Sequence, residues 1–141
     1  MESSRRKHIF FVKSSDSLNV FPENSANDFT IELPEQLYLK GEWQCALHEI
    51  AFRDDISQDI VVGCDMVDNS IIADSKHQVL RVISRRNSVV RYVSFSELLW
   101  IPVSRDQIKR FRIVIKDEQL RLATFLSGEV TCTVEIRKTN I

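Results

Sequence analysis

Apolar and polar side chains alternate with a period of two in most patterned stretches of this chain, the spacing that sends successive residues to opposite faces of a β-strand. Over residues 28–33, Phe29, Ile31 and Leu33 face away from Asp28, Thr30 and Glu32. Pro34 is expected to end that run, because it has no N–H to give to a ladder. Val130, Cys132, Val134 and Ile136 oppose Glu129, Thr131, Thr133 and Glu135. Phe111, Ile113 and Ile115 oppose Arg110, Arg112 and Lys116, with Val114 breaking the polar side as expected where it is partly covered. Runs at 9–13, 60–67, 79–83 and 89–95 are rich in β-branched and aromatic residues and bounded by Ser, Asp or Asn clusters.

Residues 42–52, EWQCALHEIAF, fit two periods: Trp43, Leu47 and Ile50 stand at helical spacing, whereas Trp43, Cys45 and Leu47 alternate. Read as a strand, the segment changes phase near His48, and a bulge or bend there returns Ile50 and Phe52 to the buried side. Counting it gives eight strands, with brief helical turns expected only at 96–100 and 117–123. The class is all-β, and the irregular strand spacing suits a sandwich or jelly roll. Phe29, Ile31, Leu33, Phe111, Ile113, Val130, Val134 and Ile136 are the expected core.

At 141 residues the chain fits one domain with one core, and is too short for a two-domain enzyme with a cleft between domains. With 43% hydrophobic and 28% charged residues it falls among folded globular chains. No apolar run approaches the roughly 20 residues of a membrane-spanning helix, and the N-terminal apolar stretch covers only residues 9–12, so neither a signal peptide nor a membrane contact is expected. Cys45, Cys64 and Cys132 are odd in number and widely spaced, which argues against a disulfide framework and for synthesis in a reducing, intracellular compartment. Cys45 and Cys132 lie on apolar strand faces and are expected to be buried, unpaired and inert.

Charge is unevenly spread. Residues 1–70 hold 13 acidic and 6 basic side chains, a net −7; residues 71–141 hold 7 acidic and 13 basic, a net +6. Such a split fits a basic face for nucleic acid, or two halves of one sheet system that attract each other or a neighbouring subunit. The second reading is preferred, because Arg81, Arg85, Arg86, Arg91, Arg105, Lys109, Arg110, Arg112, Lys116 and Arg121 are scattered without interleaved aromatics.

His8, His48 and His77 are far apart, and no Cys or His pair has the spacing of a zinc site. Asp54, Asp55, Asp59, Asp65 and Asp68 form an acidic neighbourhood that reads first as a solvated loop rim and second as a cation or acid/base site. No glycine-rich phosphate loop, nucleophile elbow or metalloprotease motif occurs. The expectation is a protein that is not an enzyme and uses no cofactor and no metal.

Three blocks in order carry a resemblance. The first runs from HIFFVKSSDS into FPENSANDFTIELPEQLYLKGEWQCALHEIAF, through Phe21, Pro22, Asn24, Phe29, Leu33, Leu39, Gly41, Trp43, Ala46, Leu47, Glu49 and Ile50. The second is VVGCDMVDNSIIADSKHQVLRVIS, through Cys64, Asp65, Val67, Ile72, Asp74, Leu80, Arg81 and Val82. The third is IPVSRDQIKRFRIVIKDEQLRLATFLSGEVTCTVEIRK, through Pro102, Val103, Phe111, Ile113, Ile115, Asp117, Phe125, Gly128, Val130, Val134 and Arg137. Together they resemble the minor capsid (penton) proteins of Polinton or Maverick elements and adintoviruses. Ala73 where that family has glycine, and Glu135-Ile136 where it has His-Phe, mark a distant relative.

The resemblance implies a single eight-stranded antiparallel jelly-roll sandwich over 1–141, with 1–7 as a flexible N-terminal arm. It also implies a virion protein whose partners are itself, as a homopentamer at capsid vertices, and a double jelly-roll major capsid protein. No catalytic residue comes with it. Among aromatics near expected loops, Phe21, Tyr38 and Trp100, the interface residues preferred are Phe21, Pro22, Trp100, Ile101 and Pro102, because a proline beside an aromatic fixes an extended edge. The alternative function is a β-sandwich binding module that uses the basic C-terminal half for nucleic acid or a protein partner.

Overall fold

Eleven antiparallel strands form from this pattern in the computed structural model, which describes residues 6–72, 74–84 and 89–139. They are β1 (Lys7–Lys13), β2 (Asp28–Tyr38), β3 (Trp43–Ile56), β4 (Ile60–Cys64), β5 (Ser70–Ile72) and β6 (Ser75–His77). The remainder are β7 (Val79–Ile83), β8 (Val90–Ser94), β9 (Ile101–Pro102), β10 (Gln107–Asp117) and β11 (Thr131–Lys138). The first sheet has the order β1-β11-β3-β8, with β9 also on β3; the second has the order β2-β10-β4-β7; β5 and β6 make a separate hairpin. Every one of the eight expected strands is present, and β5, β6 and β9 are additions. Residues 1–5 of the expected arm, and Ala73, Arg85 and Arg86, lie outside the described residues, while Lys7 already belongs to β1.

The long strands pair as a nested series: β1 with β11, β2 with β10, β3 with β8, and β4 with β7. The chain thus pairs its outermost strands together and its innermost strands together, like one long hairpin that alternates between two sheets. The inward faces of both sheets merge in one core, which holds all eight expected core residues, with Phe29, Phe111, Ile113, Val130, Val134 and Ile136 fully enclosed. Each such side chain contributes about 1.5–3 kcal/mol by leaving water.

The bulge expected in residues 42–52 sits at His48. Leu47 pairs with Val134 and Glu49 with the adjacent Thr133, so His48 is the extra residue. Trp43, Cys45 and Leu47 before it and Ile50 and Phe52 after it are therefore all buried.

Three expectations are corrected. Pro34 does not end β2, which continues to Tyr38. Since β2 is an edge strand, the missing N–H costs no internal ladder bond. The register slips there, Glu32 pairing with Arg110 and Leu37 with Ile108, and Lys109 Nζ donates to the Leu33 carbonyl at 2.8 Å. The strand expected over 60–67 stops at Cys64, because the chain turns at Asp65 and Met66. The helical turns at 96–100 and 117–123 are absent: the described residues contain no helix, and hence none able to cross a membrane. Phe95 N–H instead donates to the His48 carbonyl at 3.0 Å, and Arg81 donates to the Glu97 carbonyl at 3.0 Å. Asp117 closes a tight turn by accepting from the N–H groups of Gln119 and Arg121, and Leu120 takes φ +62°.

Candidate interface surfaces

The bulge leaves two consecutive polar residues, His48 and Glu49, on the outer face of the first sheet. His48 Nε2 lies 2.6 Å from Glu135 Oε1, and Glu135, although outward-facing, is buried. Glu49 accepts from Tyr92 Oη at 2.5 Å and from Thr133 Oγ1 at 3.1 Å. The Tyr92 hydrogen bond, followed by that of Thr133, lowers the Glu49 carboxyl below its ordinary range, and the same contact raises the Tyr92 phenol. Beside this network runs a trough of about 280 Å³ between Phe11 and Tyr92, floored by Ala51, Thr131 and Thr133. Phe11 is 76% exposed, a large apolar side chain standing in water on an edge strand.

The outer face of the second sheet carries a larger groove, about 380 Å³, with Val61, Val79, Val114, Leu120 and Leu122 as its apolar lining. Gly63 lies at its base, where a β-carbon would stand 3.0 Å from the Gln78 carbonyl oxygen, so any larger residue there would press on the β6–β7 connection and require it to shift by a few tenths of an ångström. Arg112, Lys116, Asp65 and His77 complete the lining. Arg112 is held by Asp28 through two hydrogen bonds of 2.8 and 2.6 Å.

The five interface residues expected from sequence fall at two separate places. Phe21 and Pro22 lie in the β1–β2 connection, with Phe21 half-buried under the Arg110 guanidinium, 5.5 Å from the ring centroid, and Pro22 exposed. Ile101 and Pro102 pair with Cys45 and Gln44 of β3, and Trp100 immediately precedes them. The Arg137 guanidinium covers the Trp100 ring at 3.7 Å, Ile101 packs on the core, and the Pro102 carbonyl accepts from Asp68 N–H at 2.9 Å. The most exposed aromatic residue, Phe11, was not singled out by sequence reasoning; its signal was Phe10-Phe11 inside an alternating run, where one ring of the pair must point outward.

The uneven charge is spent largely within the chain. Asp28 pairs with Arg112, Glu32 with Arg110, Asp55 with Arg91 and Asp65 with Arg105, each joining an acid of the first half to a base of the second. Of the two attractions expected from the split, the intramolecular one is formed, and these charges are not left over for a neighbouring subunit. The acidic neighbourhood is likewise divided: Asp54 accepts from Ser127 N–H and Oγ, while Asp55 and Asp65 hold arginines. Among the described residues no group of three or more His, Cys, Asp or Glu is placed to hold a metal ion. All three cysteines are free and buried. Burial pushes the Cys64 thiol up to about 12 and raises those of Cys45 and Cys132 as well.

No family model matches the chain. No curated protein matches it either.

Proposed function

We propose that this protein is a structural capsid subunit, a single jelly roll that assembles as a ring of like copies, a pentamer, at the vertices of a shell built from a double jelly-roll major capsid protein. The observation that carries the reading is the nested pairing of β1 with β11, β2 with β10, β3 with β8 and β4 with β7 across two four-strand orders. That is how a rolled-up hairpin of two Greek keys pairs, and it is an architecture used in capsid shells. Fold alone does not give function, so the ordered three-block resemblance to penton proteins supplies the position in the shell. Large apolar side chains left in water on both outer faces, Phe11, Tyr92, Val82 and Leu122, add support, because surfaces of this kind mark contact sites.

The nucleic-acid alternative draws less support, since Arg91, Arg105, Arg110 and Arg112 are already engaged by carboxylates. Sedimentation of the purified chain across a concentration series, alone and beside a double jelly-roll capsid protein, tests the proposal.

A further inference from the structure

We infer that the corner where the start of β1 meets the end of β11 binds the sugar–phosphate backbone of nucleic acid, by charge and without reading base sequence. Lys7 pairs directly with Arg137 across the two strands. On the next rung Lys138 N–H donates to the Arg6 carbonyl at 2.8 Å, which sets Arg6 against Lys138. Two like-charged rungs in succession therefore close this ladder, although like charges placed opposite each other destabilise a sheet. Arg6, Lys7 and Arg137 are exposed and Lys138 is half-buried. Because β1 is an edge strand, no further strand of the sheet screens the open side. Gly41 lies against the Lys138 side chain and brings the exposed Lys40 to the same corner.

These charges are not spent within the chain. Carboxylates hold Arg91, Arg105, Arg110 and Arg112, whereas Lys7, Arg137 and Lys138 form no ion pair among the described residues. Arg137 is held by uncharged partners instead. Its guanidinium lies on the Trp100 ring at 3.7 Å and its Nε donates to Gln44 Oε1 at 3.2 Å, so its orientation is fixed while its charge and its terminal amino groups remain for an anion. Glu135, two residues inward on the same face, is buried and engaged by His48. The acids joined to this end by backbone hydrogen bonds, Glu42, Asp68 and Asp106, sit on the β2–β3, β4–β5 and β9–β10 connections and not on the β1–β11 rungs.

A phosphodiester chain is the anion that fits. Successive backbone phosphates can meet bases set on successive rungs, which a lone carboxylate cannot. Arg5 precedes Arg6 and Lys7 in the sequence, and a basic run leading into a folded domain is a common nucleic-acid contact. Trp100 is already covered by Arg137 and is not available to stack on a base, so the corner takes phosphates and is blind to sequence. Such a contact requires no ring of copies.

The test follows the fluorescence anisotropy of a labelled DNA duplex titrated with the whole chain. With Lys7, Arg137 and Lys138 each on a phosphate, binding is expected to weaken about 40-fold between about 50 and about 200 mM salt, equally for two duplexes of unrelated sequence. Lys7→Glu is expected to lose about tenfold in affinity and to raise the thermal midpoint, because the Lys7–Arg137 rung becomes an attractive pair. The raised midpoint separates lost binding from lost folding. Lys76→Glu makes the same charge change on the exposed face of the β5–β6 hairpin and is expected to leave the affinity unchanged. Equal weakening by both variants means a response to net charge alone and overturns the corner as the site. Failure to bind either duplex at the lower salt also overturns the inference, as does capture by phosphatidylserine vesicles or polyglutamate in place of DNA.

Discussion

His48 Nε2 stands 2.6 Å from Glu135 Oε1 on the outer face of the first sheet, and the two meet because β3 carries one residue more than β11 between Leu47 and Glu49. A side-chain period of two makes that extra residue decisive, since without it every residue on one side of position 48 changes face. Removing His48 by deletion is therefore expected to abolish the cooperative urea transition, because either Trp43, Cys45 and Leu47 or Ile50 and Phe52 are turned out of the core. His48→Ala keeps the bulge but leaves the buried Glu135 carboxylate without this partner, which costs about 1–3 kcal/mol. Similar unfolding midpoints for the deletion and the alanine variant would contradict this account of β3.

Tyr92 and Glu49 form the second outward contact, and its pH dependence has a definite sign. The folded Glu49 carboxyl is lowered from its ordinary 4.5, so its contribution is present above about pH 4.5 and is lost as pH falls through the folded value. The folded Tyr92 phenol is raised from 10.0, so its contribution is present below about pH 10 and is lost as pH rises through the folded value. Tyr92→Phe is expected to raise the Glu49 pKa in a carboxyl-detected NMR titration. The stability gap between variant and wild type is expected to be widest between those limits and to close at both ends. An unchanged Glu49 titration argues against the hydrogen bond.

Core truncation follows the enclosure of each side chain. Phe111→Ala leaves a cavity between β10 and the Phe10 ring and is expected to cost about 3–5 kcal/mol, whereas Ile113→Val removes one methylene and costs about 0.5–1.5 kcal/mol. Urea denaturation at a fixed pH compares them directly. Equal losses would mean that the site of Phe111 collapses freely.

Thiol chemistry reports on the same core. Cys45, Cys64 and Cys132 are buried, with pKa values raised by desolvation, so little thiolate is present at pH 8 and none is accessible. A colourless disulfide reagent that releases a chromophore should label none of them quickly in the native protein and all three at once in urea. Fast labelling of any one places it outside the core.

Much of the fold was legible from alternation, because one buried face and one wet face write a period of two. The bulge at His48 was legible for the same reason, as a break in phase between Leu47 and Ile50. Turns decided by contacts distant in sequence were not. Leu98, Leu99 and Trp100 suggest a helical turn until Phe95 is tied to the His48 carbonyl and Arg137 stacks on Trp100. Pro34 reads as a strand end until its position on an edge is known. The exposed apolar surface was the least legible, since Phe21 and Trp100 find intramolecular cations and Phe11 is marked only by exposure.

Sedimentation velocity of the purified wild-type chain over a wide concentration range, followed by negative-stain imaging of the largest species, tests the central claim most directly. The predicted result is a concentration-dependent shift to a closed ring of five chains, strengthened when a double jelly-roll capsid protein is co-expressed. A single-chain mass at every concentration, with no association beside that partner, would contradict it.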